Sequence, residues 1–397
     1  MPEFALSGTD GKAPVTAAAH GRTLIDGRQP PRPLQLQGDD RVALAAVAAW
    51  ALAEGHPLIT GAGPGAEAGH DYPWDVAFYT SGSTGTPRLF AFTKHQLDIV
   101  TGWYATIYRA TADSVIVTNL PPGYNFPFVA GLCLAAALGA RLHLVDAVED
   151  VFTSARQLAG THDRCIVLAN PVLLEHPPNF QLPDNCLIDT GGAPLSTKAI
   201  AYYRSTVADL REGYGLTETC SLTHFDTEAC DASLGTVGAA VEGAGARIVT
   251  VAGKPRVALR TPALGTPLTG TLEHTEDGEL LTGDLGAIDA AGRLRLFGRH
   301  DDHLVEGLWP RDVLDHLGAI LGTRTALVRH PSPDRVAVRL SAGADDRLVD
   351  AVRTATSELI GYDPRHVAVD TARGLLHSVK LPRVPPNESA SASASAS

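Results

Sequence analysis

Lysine is scarce in this sequence of 397 residues. Its five lysines are Lys12, Lys94, Lys198, Lys254 and Lys380, so 27 of the 32 basic residues are arginines. A composition this biased indicates that arginine serves wherever only a positive charge is wanted. Each remaining lysine is therefore a candidate for a role that needs a compact ammonium group, with chance retention as the alternative for any one of them.

Runs of basic residues and long apolar runs are also lacking. The net charge is −12 at pH 7, and no basic cluster stands out, so we expect no nucleic-acid partner. Apolar runs such as Val42–Ala53 stop well short of the roughly 20 residues of a membrane span, and this one is predicted to be a buried helix. The first residues, MPEFALSGTDGK, lack the basic-then-apolar pattern of a signal peptide, which predicts a cytoplasmic protein.

Cysteines are few and scattered. They are Cys133, Cys165, Cys186, Cys220 and Cys230. Their number is odd and no two are spaced as C-x-x-C, so neither a disulfide framework nor a zinc site is indicated. The histidines show no H-E-x-x-H or clustered spacing, which is typical of ordinary side chains rather than of metal ligands.

Strands and helices alternate from about Arg41 to Val145. The apolar helix is followed by a strand at Val76–Thr80, a helix from about Lys94 to Arg109, a strand at SVIVTNL, a helix around FVAGLCLAAALGA and a strand at RLHLVDA. The alternation continues through CIVLAN, NCLIDT and a helix near Ser196 to Val207. This pattern is typical of crossover units and predicts a mainly parallel sheet.

The pattern changes after about Gly235. Short runs such as ARIVTVA, RVALR and GRLRLFG, separated by Gly and Pro, predict a small antiparallel sheet or barrel. Beyond GRHDD, a helix at Pro310–Leu321, a helix at about Arg347–Ile360 and three short strands predict a miniature α+β unit. We expect an α/β fold: a large mixed α/β N-terminal domain with a β-rich subdomain (1–298), a small mobile α+β C-terminal domain (299–384) and a disordered Ser/Ala tail (385–397).

The stretch YTSGSTGTPRL, Tyr79–Leu89, concentrates small hydroxyl residues and glycines after a predicted strand and before a predicted helix. Glycines permit close approach, while hydroxyls and freed backbone amides can donate hydrogen bonds to phosphate oxygens. No Gly-Lys-Ser/Thr occurs, which excludes the loop of nucleoside triphosphatases. Alone, the stretch fits either a phosphate-binding strand-to-helix loop or a flexible surface loop.

Five further motifs follow this stretch in order. They are GGAPLS (Gly191–Ser196), EGYGLTET (Glu212–Thr219), LLTGDLG (Leu280–Gly286), GRHDDHL (Gly298–Leu304) and SVKLPR (Ser378–Arg383). The ordered set resembles the adenylate-forming superfamily of acyl-CoA synthetases, peptide-synthetase adenylation domains and luciferases. The resemblance runs from about Trp74 to Arg383 and implies a compact member in which most of the first subdomain is absent.

The resemblance implies a role for each matching residue. The residues implied to hold ATP are the phosphate loop Thr80, Ser81, Gly82, Ser83, Thr84 and Gly85, the adenine and acyl segment Gly191, Gly192, Ala193 and Pro194, the adenine-stacking Tyr214 with Gly215, and the ribose pair Asp284 and Arg299. Thr217 is implied to contact the α-phosphate and Glu218 to ligate Mg²⁺. Asp301 is the implied hinge, and Lys380 the bridge between the carboxylate and the α-phosphate.

The resemblance also implies an activity, an ATP- and Mg²⁺-dependent ligase for a small carboxylic acid. The acid becomes an acyl-AMP with release of pyrophosphate, and the acyl group then passes to a thiol, of coenzyme A or of phosphopantetheine on an acyl carrier protein. Tyr124, Phe126 and Phe128 favour an aryl acid over medium-chain fatty or amino acids. The alternative from another class is a non-catalytic nucleotide-binding regulatory or scaffold protein derived from such ligases.

The sequence departs from the family pattern at several positions, and the departures at Arg88-Leu89 and Val379 keep that alternative open. The pair Arg88-Leu89 stands where the family has Lys-Gly, and Val379 stands where it has Gly. The segment LPPGYNFPFVAGL lacks the usual His, whose place is taken by Tyr124, Asn125 or Phe128. Retention of the implied magnesium, ribose and carboxylate-bridging residues favours catalysis instead.

Two other motifs are rejected as functional. GAGPGA, Gly61–Ala66, imitates a dinucleotide fingerprint, but Pro64 and the Gly and Pro residues that follow leave no room for the helix that would hold a pyrophosphate. DTGG, Asp189–Gly192, imitates the turn of an aspartic protease, but no second copy supplies the paired carboxylate.

Overall fold

Four sheets and nine α-helices organise the residues that the structure, a computed structural model, describes: 4–8, 15–25, 33–36, 39–61, 73–80, 87–341 and 343–371. The strands are β1 (Ala5–Gly8), β2 (Val15–Thr16), β3 (Leu34–Leu36), β4 (Leu58–Thr60), β5 (Val76–Tyr79), β6 (Leu89–Phe92), β7 (Val115–Thr118), β8 (Arg141–Leu144), β9 (Cys165–Ala169), β10 (Cys186–Thr190), β11 (Asp209–Tyr214), β12 (His224–Phe225), β13 (Ala239–Ala240), β14 (Gly245–Val251), β15 (Lys254–Arg260), β16 (Thr266–Pro267), β17 (Leu280–Ile288), β18 (Leu294–Arg299), β19 (Ala326–Ser332), β20 (Arg335–Leu340) and β21 (Val367–Thr371). The helices are α1 (Ala17–Ile25), α2 (Arg41–Ala53), α3 (Lys94–Tyr108), α4 (Asn125–Pro127), α5 (Leu134–Leu138), α6 (Val151–Ala159), α7 (Thr197–Thr206), α8 (Pro310–Leu321) and α9 (Asp346–Ile360).

The largest sheet has nine strands in the order β13-β12-β11-β10-β9-β7-β8-β1-β2. Its six strands from β11 to β1 are mutually parallel, while β12, β13 and β2 pair antiparallel at the two ends. The inner strands β7, β9 and β10 are fully buried, as expected for parallel strands covered on both faces. The predicted mainly parallel sheet is confirmed.

The second sheet has the order β16-β6-β5-β4-β3 and corrects one prediction. The stretch after β5 does not lead straight into a helix, because β6 intervenes and pairs antiparallel with β5, with Tyr79 opposite Leu89. The phosphate-loop candidate is therefore the loop of a β-hairpin. The sequence LFAF gave no alternating signal, because all four of its residues are buried within the sheet.

Helix α3 packs one face against the nine-stranded sheet. Thr93 caps its first turn in a capping box with Gln96, which explains its start, and Arg109 ends it in the left-handed conformation. The buried face contains Leu97, Val100, Thr101, Tyr104 and Tyr108. This helix is the wall that faces the carboxyl ends of β10 and β11.

The helix predicted around FVAGLCLAAALGA is interrupted. A π-helical turn spans Phe128–Cys133 between α4 and α5. Such turns insert an extra residue into the helix and occur frequently at functional sites. Phe126, in α4 directly before this turn, lies close to Tyr104, with the two ring centroids 6.4 Å apart.

The remaining sheets match the predicted β-rich and α+β regions. Strands β14, β15, β17 and β18 form an antiparallel sheet, and β19, β20 and β21 form a second small sheet with α8 and α9. The region of α8 and β19 contacts the domain of the larger sheet through two hydrogen bonds. The amide of Thr197 donates to Asp315 Oδ1 at 2.9 Å, and the amide of Thr325 donates to Glu175 Oε1 at 2.5 Å. The mixed α/β fold is confirmed, while the domain boundaries and the mobility of the last domain stay predictions, and the tail (385–397) lies outside the described residues.

None of the helices in the described part of the chain combines the length and the apolar character that a membrane span requires.

Candidate active site

The base of the β5–β6 hairpin is held closed by two hydrogen bonds. The amide of Thr80 donates to the carbonyl of Arg88 at 2.7 Å, and the amide of Arg88 donates to Thr80 Oγ1 at 3.1 Å. Thr80 is buried, so its hydroxyl stabilises the hairpin in addition to any contact with phosphate. The other predicted loop residues, Ser81, Gly82, Ser83, Thr84 and Gly85, lie outside the described residues.

The side chain of Arg88 reaches from this hairpin to Glu218. Its guanidinium forms an ion pair with Glu218 Oε1, lies over the ring of Phe90 and donates to the carbonyl of Thr271 at 3.3 Å. Glu218 sits in a 3-10 turn, Thr217–Thr219, directly after β11, and its side chain is only 11% exposed. The predicted magnesium ligand and the phosphate hairpin therefore adjoin each other, with Thr217 on the same turn.

The predicted adenine and ribose residues form one hydrogen-bonded cluster. The hydroxyl of Tyr214 donates to Asp284 Oδ2 at 2.8 Å, and the guanidinium of Arg299 donates to Asp284 Oδ1 at 2.6 Å. Strand register explains the second contact, since Asp284 on β17 lies opposite Arg299 on β18. The Asp284 carboxylate raises the pKa of Arg299, while burial and then the same carboxylate raise the pKa of Tyr214 well above its ordinary value.

Glycines allow the close approach of two chain segments that are predicted to hold the nucleotide, the one that begins at Gly191 and the one around Tyr214. A Cβ on Gly215 would overlap the carbonyl of Ser221, so only glycine fits there. A Cβ on Gly191 would lie 3.0 Å from the carbonyl of Gly213, which places the start of the segment Gly191, Gly192, Ala193 and Pro194 against the strand that ends in Tyr214. Gly192 has a φ of +87°, a conformation that glycine adopts without strain.

A layer of aromatic and polar side chains lies between α3 and the sheet, and sequence reasoning missed it. The hydroxyl of Tyr104 hydrogen-bonds Ser221 Oγ at 2.8 Å, and the hydroxyl of Tyr108 donates to Asp189 Oδ2. The rings of Tyr104 and Tyr108 lie 5.3 Å apart, and Phe225 lies edge-on to Tyr108 at 6.1 Å. The available signal was an acidic residue, Asp189, near the end of the apolar strand CLIDT, together with two tyrosines spaced by four, Tyr104 and Tyr108, on α3.

The three residues predicted to replace the family histidine differ in their surroundings. Phe128 is fully buried against Phe78, with ring centroids 5.1 Å apart, so it belongs to the core. Tyr124 is half-buried, and burial raises the pKa of its phenol. The side-chain amide nitrogen of Asn125 is buried and has no hydrogen-bond partner among the described residues. Asn125 is therefore the polar candidate whose donor is still available.

The described residues hold no group of three or more His, Cys, Asp or Glu side chains that could bind a metal ion by themselves. The carboxylate of Glu218 stands beside the phosphate hairpin instead. This arrangement fits Mg²⁺, which usually takes one or two carboxylates from the protein and completes its coordination with substrate phosphates and water.

The region of the predicted hinge is tied by several charged contacts. Asp302 is fully buried and accepts from the Arg299 amide at 2.7 Å and from Arg329 Nε at 2.6 Å. Asp301, the predicted hinge residue, is partly exposed and pairs with the same guanidinium of Arg329 at 2.8 Å. Lys254 donates to the carbonyls of His300, at 2.7 Å, and of Asp302. The predicted Lys380 lies outside the described residues.

Comparison with protein families gives one match. Residues 66–265, half of the chain, match the family described as AMP-binding enzyme. The matched range contains the hairpin, the segment that begins at Gly191 and the turn that carries Glu218, whereas Asp284 and Arg299 follow it.

Similar curated proteins are ligases that act on different acids. A 3-[(3aS,4S,7aS)-7a-methyl-1,5-dioxo-octahydro-1H-inden-4-yl]propanoyl:CoA ligase from Mycobacterium tuberculosis is 27% identical over 370 residues, covering 82% of this chain and 68% of its own length. A long-chain-fatty-acid–CoA ligase from Escherichia coli O157:H7 is 26% identical over 291 residues, covering 67% of this chain. The match spans only half of the length of that second relative.

A similar solved structure supports the fold over nearly the whole chain. It is the o-succinylbenzoate CoA synthetase of Bacillus subtilis in complex with its acyl-adenylate intermediate, with a TM-score of 0.71 and 18% sequence identity. The superposition covers 97% of this chain and 93% of that chain. At this identity the likeness establishes the architecture that the two chains share.

Proposed function

Because the chain belongs to the AMP-binding enzyme family, we propose that it joins a carboxylic acid to a thiol at the expense of ATP, through an acyl-AMP. The observation that carries the proposal is the convergence of Tyr214, Asp284 and Arg299 in one hydrogen-bonded cluster. Asp284 and Arg299 lie on two paired strands, while Tyr214 lies on a strand 70 residues before Asp284, and each residue was assigned to the nucleoside from its motif alone. The pair of Arg88 and Glu218 lies beside the phosphate hairpin and completes the set.

The first half-reaction needs no general base. A carboxylate oxygen attacks the α-phosphorus of ATP, the bond from that phosphorus to the bridging oxygen breaks, and pyrophosphate leaves with the electron pair. The transition state concentrates negative charge on the phosphate oxygens, so cations positioned beforehand lower its free energy. Bound Mg²⁺ supplies such a charge as a Lewis acid.

Each residue of this chain then has a defined task in that step. Asp284 accepts hydrogen bonds from the ribose hydroxyls and is held in place by Arg299. Tyr214 provides a flat surface for adenine, and Thr217 contacts the α-phosphate. Glu218 would hold Mg²⁺, and Arg88 pairs with that carboxylate beside the predicted phosphate hairpin. Lys380 places its ammonium between the carboxylate and the α-phosphate.

In the second half-reaction a thiolate attacks the carbonyl carbon of the acyl-AMP, and AMP leaves. The thiol belongs to coenzyme A or to phosphopantetheine on an acyl carrier protein. Rotation of the small domain about Asp301 removes Lys380 and admits the thiol. The contacts of Arg329 with Asp301 and Asp302 support a hinge here, because they join the first strand of the small domain to the residues that would turn.

An aryl acid is the proposed substrate class. Four aromatic side chains in mutual contact form the layer between α3 and the sheet: Tyr104, Tyr108, Phe126 and Phe225. Flat, rigid rings suit an aromatic substrate because ring-to-ring packing in offset or edge-on geometry is favourable. Medium-chain fatty acids and amino acids are the competing classes in the test.

The test is ATP–pyrophosphate exchange with Mg²⁺ across aryl, aliphatic and amino acids. We expect exchange with aryl acids and a loss of roughly a hundredfold or more in Lys380→Ala, because the ammonium acts only on the transition state. Lys94→Ala is the matched control, since Lys94 forms an exposed ion pair with Asp98 on α3. ATP binding without exchange for any acid would instead establish the non-catalytic alternative. Thioester formation with coenzyme A and with a carrier protein then identifies the acceptor.

A further inference from the structure

Asp189 is a buried carboxyl group that the nucleotide chemistry does not use. It lies near the carboxyl end of β10, two residues before Gly191, and is 1% exposed. Its neighbour Leu187, two residues earlier on the same strand, belongs to the core that includes α3, so this face of β10 points toward that helix. The hydroxyl of Tyr108, on α3, donates a hydrogen bond to Asp189 Oδ2.

The other carboxyl oxygen of Asp189 lacks a donor. Oδ1 is buried and has no hydrogen-bond partner in the described ranges. A buried acceptor left without a donor costs on the order of 1–3 kcal/mol, and more when the group is charged. A fold rarely keeps such a group in its interior unless something else supplies the donor.

Gly213 shows where Oδ1 points. A Cβ built on Gly213 would lie 3.2 Å from Asp189 Oδ1, 3.4 Å from the ring of Phe225 and 3.5 Å from Leu222. Gly213 immediately precedes Tyr214, and its carbonyl faces Gly191. The open oxygen therefore faces the segment that joins the nucleotide cluster to the aromatic layer.

The surroundings of Oδ1 are otherwise apolar. Tyr104, Tyr108 and Phe225 are each at most 2% exposed, and the two tyrosine hydroxyls are already bonded to Ser221 and Asp189. A flat ring that enters this layer meets aromatic faces and one acceptor. A polar acceptor placed in an apolar pocket is the usual means of fixing a ligand's orientation.

We propose that Asp189 Oδ1 accepts a hydrogen bond from an amino or hydroxyl substituent on the ring of the substrate. The substrate class is then an amino- or hydroxy-substituted aryl acid. This inference rests on the proposed aryl-acid ligase activity and adds the substituent that the site selects. Asp189 is a specificity-determining residue in this assignment, and Tyr108 positions it through Oδ2.

The experiment compares benzoic acids in ATP–pyrophosphate exchange. The panel contains benzoate and its 2-, 3- and 4-substituted amino, hydroxy and methyl derivatives, because a methyl group matches the size of the donor without its hydrogen. In the wild-type protein we expect one ring position at which the amino or hydroxyl acid exceeds the methyl acid roughly tenfold or more in kcat/KM. Comparison of the amino-substituted acids of the panel with the hydroxy acids shows which donor the site prefers.

The Asp189→Asn variant should reduce this preference to roughly threefold or less, since the amide oxygen can still accept from Tyr108 while an NH2 group replaces the open acceptor. Glu212→Gln is the matched control. Glu212 is also a buried carboxyl group, one residue before Gly213, but it alternates onto the other face of β11. We expect the control to keep the full preference.

Two results would overturn the inference while the proposed function stands: exchange with aryl acids without any donor preference, or the same preference in Asp189→Asn. Absence of exchange with every acid would reject the proposed function itself. If Asp189→Asn does not fold, Gly213→Ala replaces it in the test. The added Cβ would lie 3.2 Å from Asp189 Oδ1 and 3.4 Å from the ring of Phe225, so it would obstruct access to Oδ1. That variant should lower kcat/KM for the preferred acid more than for benzoate, and an equal loss for both acids would count against the proposal.

Discussion

Arg88 and Glu218 form an ion pair although 130 residues separate them in the sequence. Arg88 belongs to the hairpin predicted to hold phosphate, and Glu218 belongs to the turn predicted to hold magnesium. Each is the nearest charged partner of the other within the described part of the site. The proposed binding of Mg²⁺ and ATP at these residues would therefore replace this ion pair with other charge contacts.

Removing the charge of Arg88 is expected to weaken ATP binding. Arg88→Met leaves Glu218 without its cation and removes a positive charge beside the phosphates, so KM for ATP should rise roughly tenfold. Arg88→Lys should show a smaller rise because the charge is kept while the planar fork is lost. Exchange measured against ATP concentration gives these values, and Arg247→Met, which breaks an exposed ion pair with Asp277, is the control. Equal KM in all variants would contradict a role for Arg88.

Neutralising Glu218 is expected to remove the magnesium site without unfolding the protein. Glu218→Gln keeps an acceptor for Arg88 but lacks the anionic oxygen that Mg²⁺ prefers. The rate of exchange should fall roughly a hundredfold at any magnesium concentration. Magnesium titrations of the variant, of the wild-type protein and of the control Glu279→Gln, whose ion pair with Arg247 lies outside the proposed site, provide the measurement. Recovery of full activity at high magnesium would mean that Glu218 only tunes the affinity.

A methyl group at Gly283 is expected to disturb the ribose pair. A Cβ there would overlap the guanidinium of Arg299, which must then leave its 2.6 Å contact with Asp284. We expect Gly283→Ala to raise KM for ATP roughly tenfold while Tm changes little, because a flexible side-chain end can move aside. Gly102→Ala in α3 is the control, since no atom lies within 4 Å of its built Cβ. That change should leave KM unaltered and stabilise the helix by about 0.5–1 kcal/mol.

The stability of the protein should depend on pH through Asp189. Burial raises the pKa of Asp189 to about 7, despite the opposing hydrogen bond from Tyr108. Because this folded-state pKa lies above that of the unfolded chain, the folded state holds the proton more tightly, and the stability contributed by this group declines from about pH 4 and is lost by about pH 7. Between pH 5.5 and pH 8 the loss amounts to about 2 kcal/mol.

The Asp189→Asn variant isolates this effect. Burial lowers the pKa of His143 and of His224 to about 4, so these histidines contribute stability above their unfolded pKa that is lost as the pH falls toward 4, which opposes the carboxyl effect in the overall profile. Because both proteins contain these histidines, their contribution cancels in the difference in unfolding free energy between variant and wild type. We expect this difference to shift in favour of the variant from pH 5.5 to pH 8 in denaturant titrations. Glu212→Gln should behave alike, because burial also raises the pKa of Glu212 to about 7. A difference independent of pH would show that Asp189 stays neutral throughout.

The sequence by itself determined the fold class and predicted the residues that would hold the nucleotide. The alternation of apolar and polar residues predicted α3 and α8 nearly to the residue, since the apolar face of a helix repeats locally along the chain. Ordered motifs identified Tyr214, Asp284 and Arg299 before their contacts were known, because each motif carries its own turn and glycine requirements. The prediction of the hairpin failed. Strand β6, LFAF, is buried on both faces, so its sequence does not alternate between apolar and polar residues.

Only the tertiary structure showed the aromatic layer at which we propose that the acid binds. Asp189 stands in a tetrapeptide that sequence reasoning set aside, and Tyr104 and Tyr108 look like ordinary core residues of an amphipathic helix. Their contacts depend on how α3 is rotated against β10 and on the left-handed turn that brings Ser221, at a φ of +89°, back to Tyr104. The pairing of Arg88 with Glu218 likewise depends on the close approach of two sheets. Contacts between distant segments are set by packing over the whole domain, which no local pattern records.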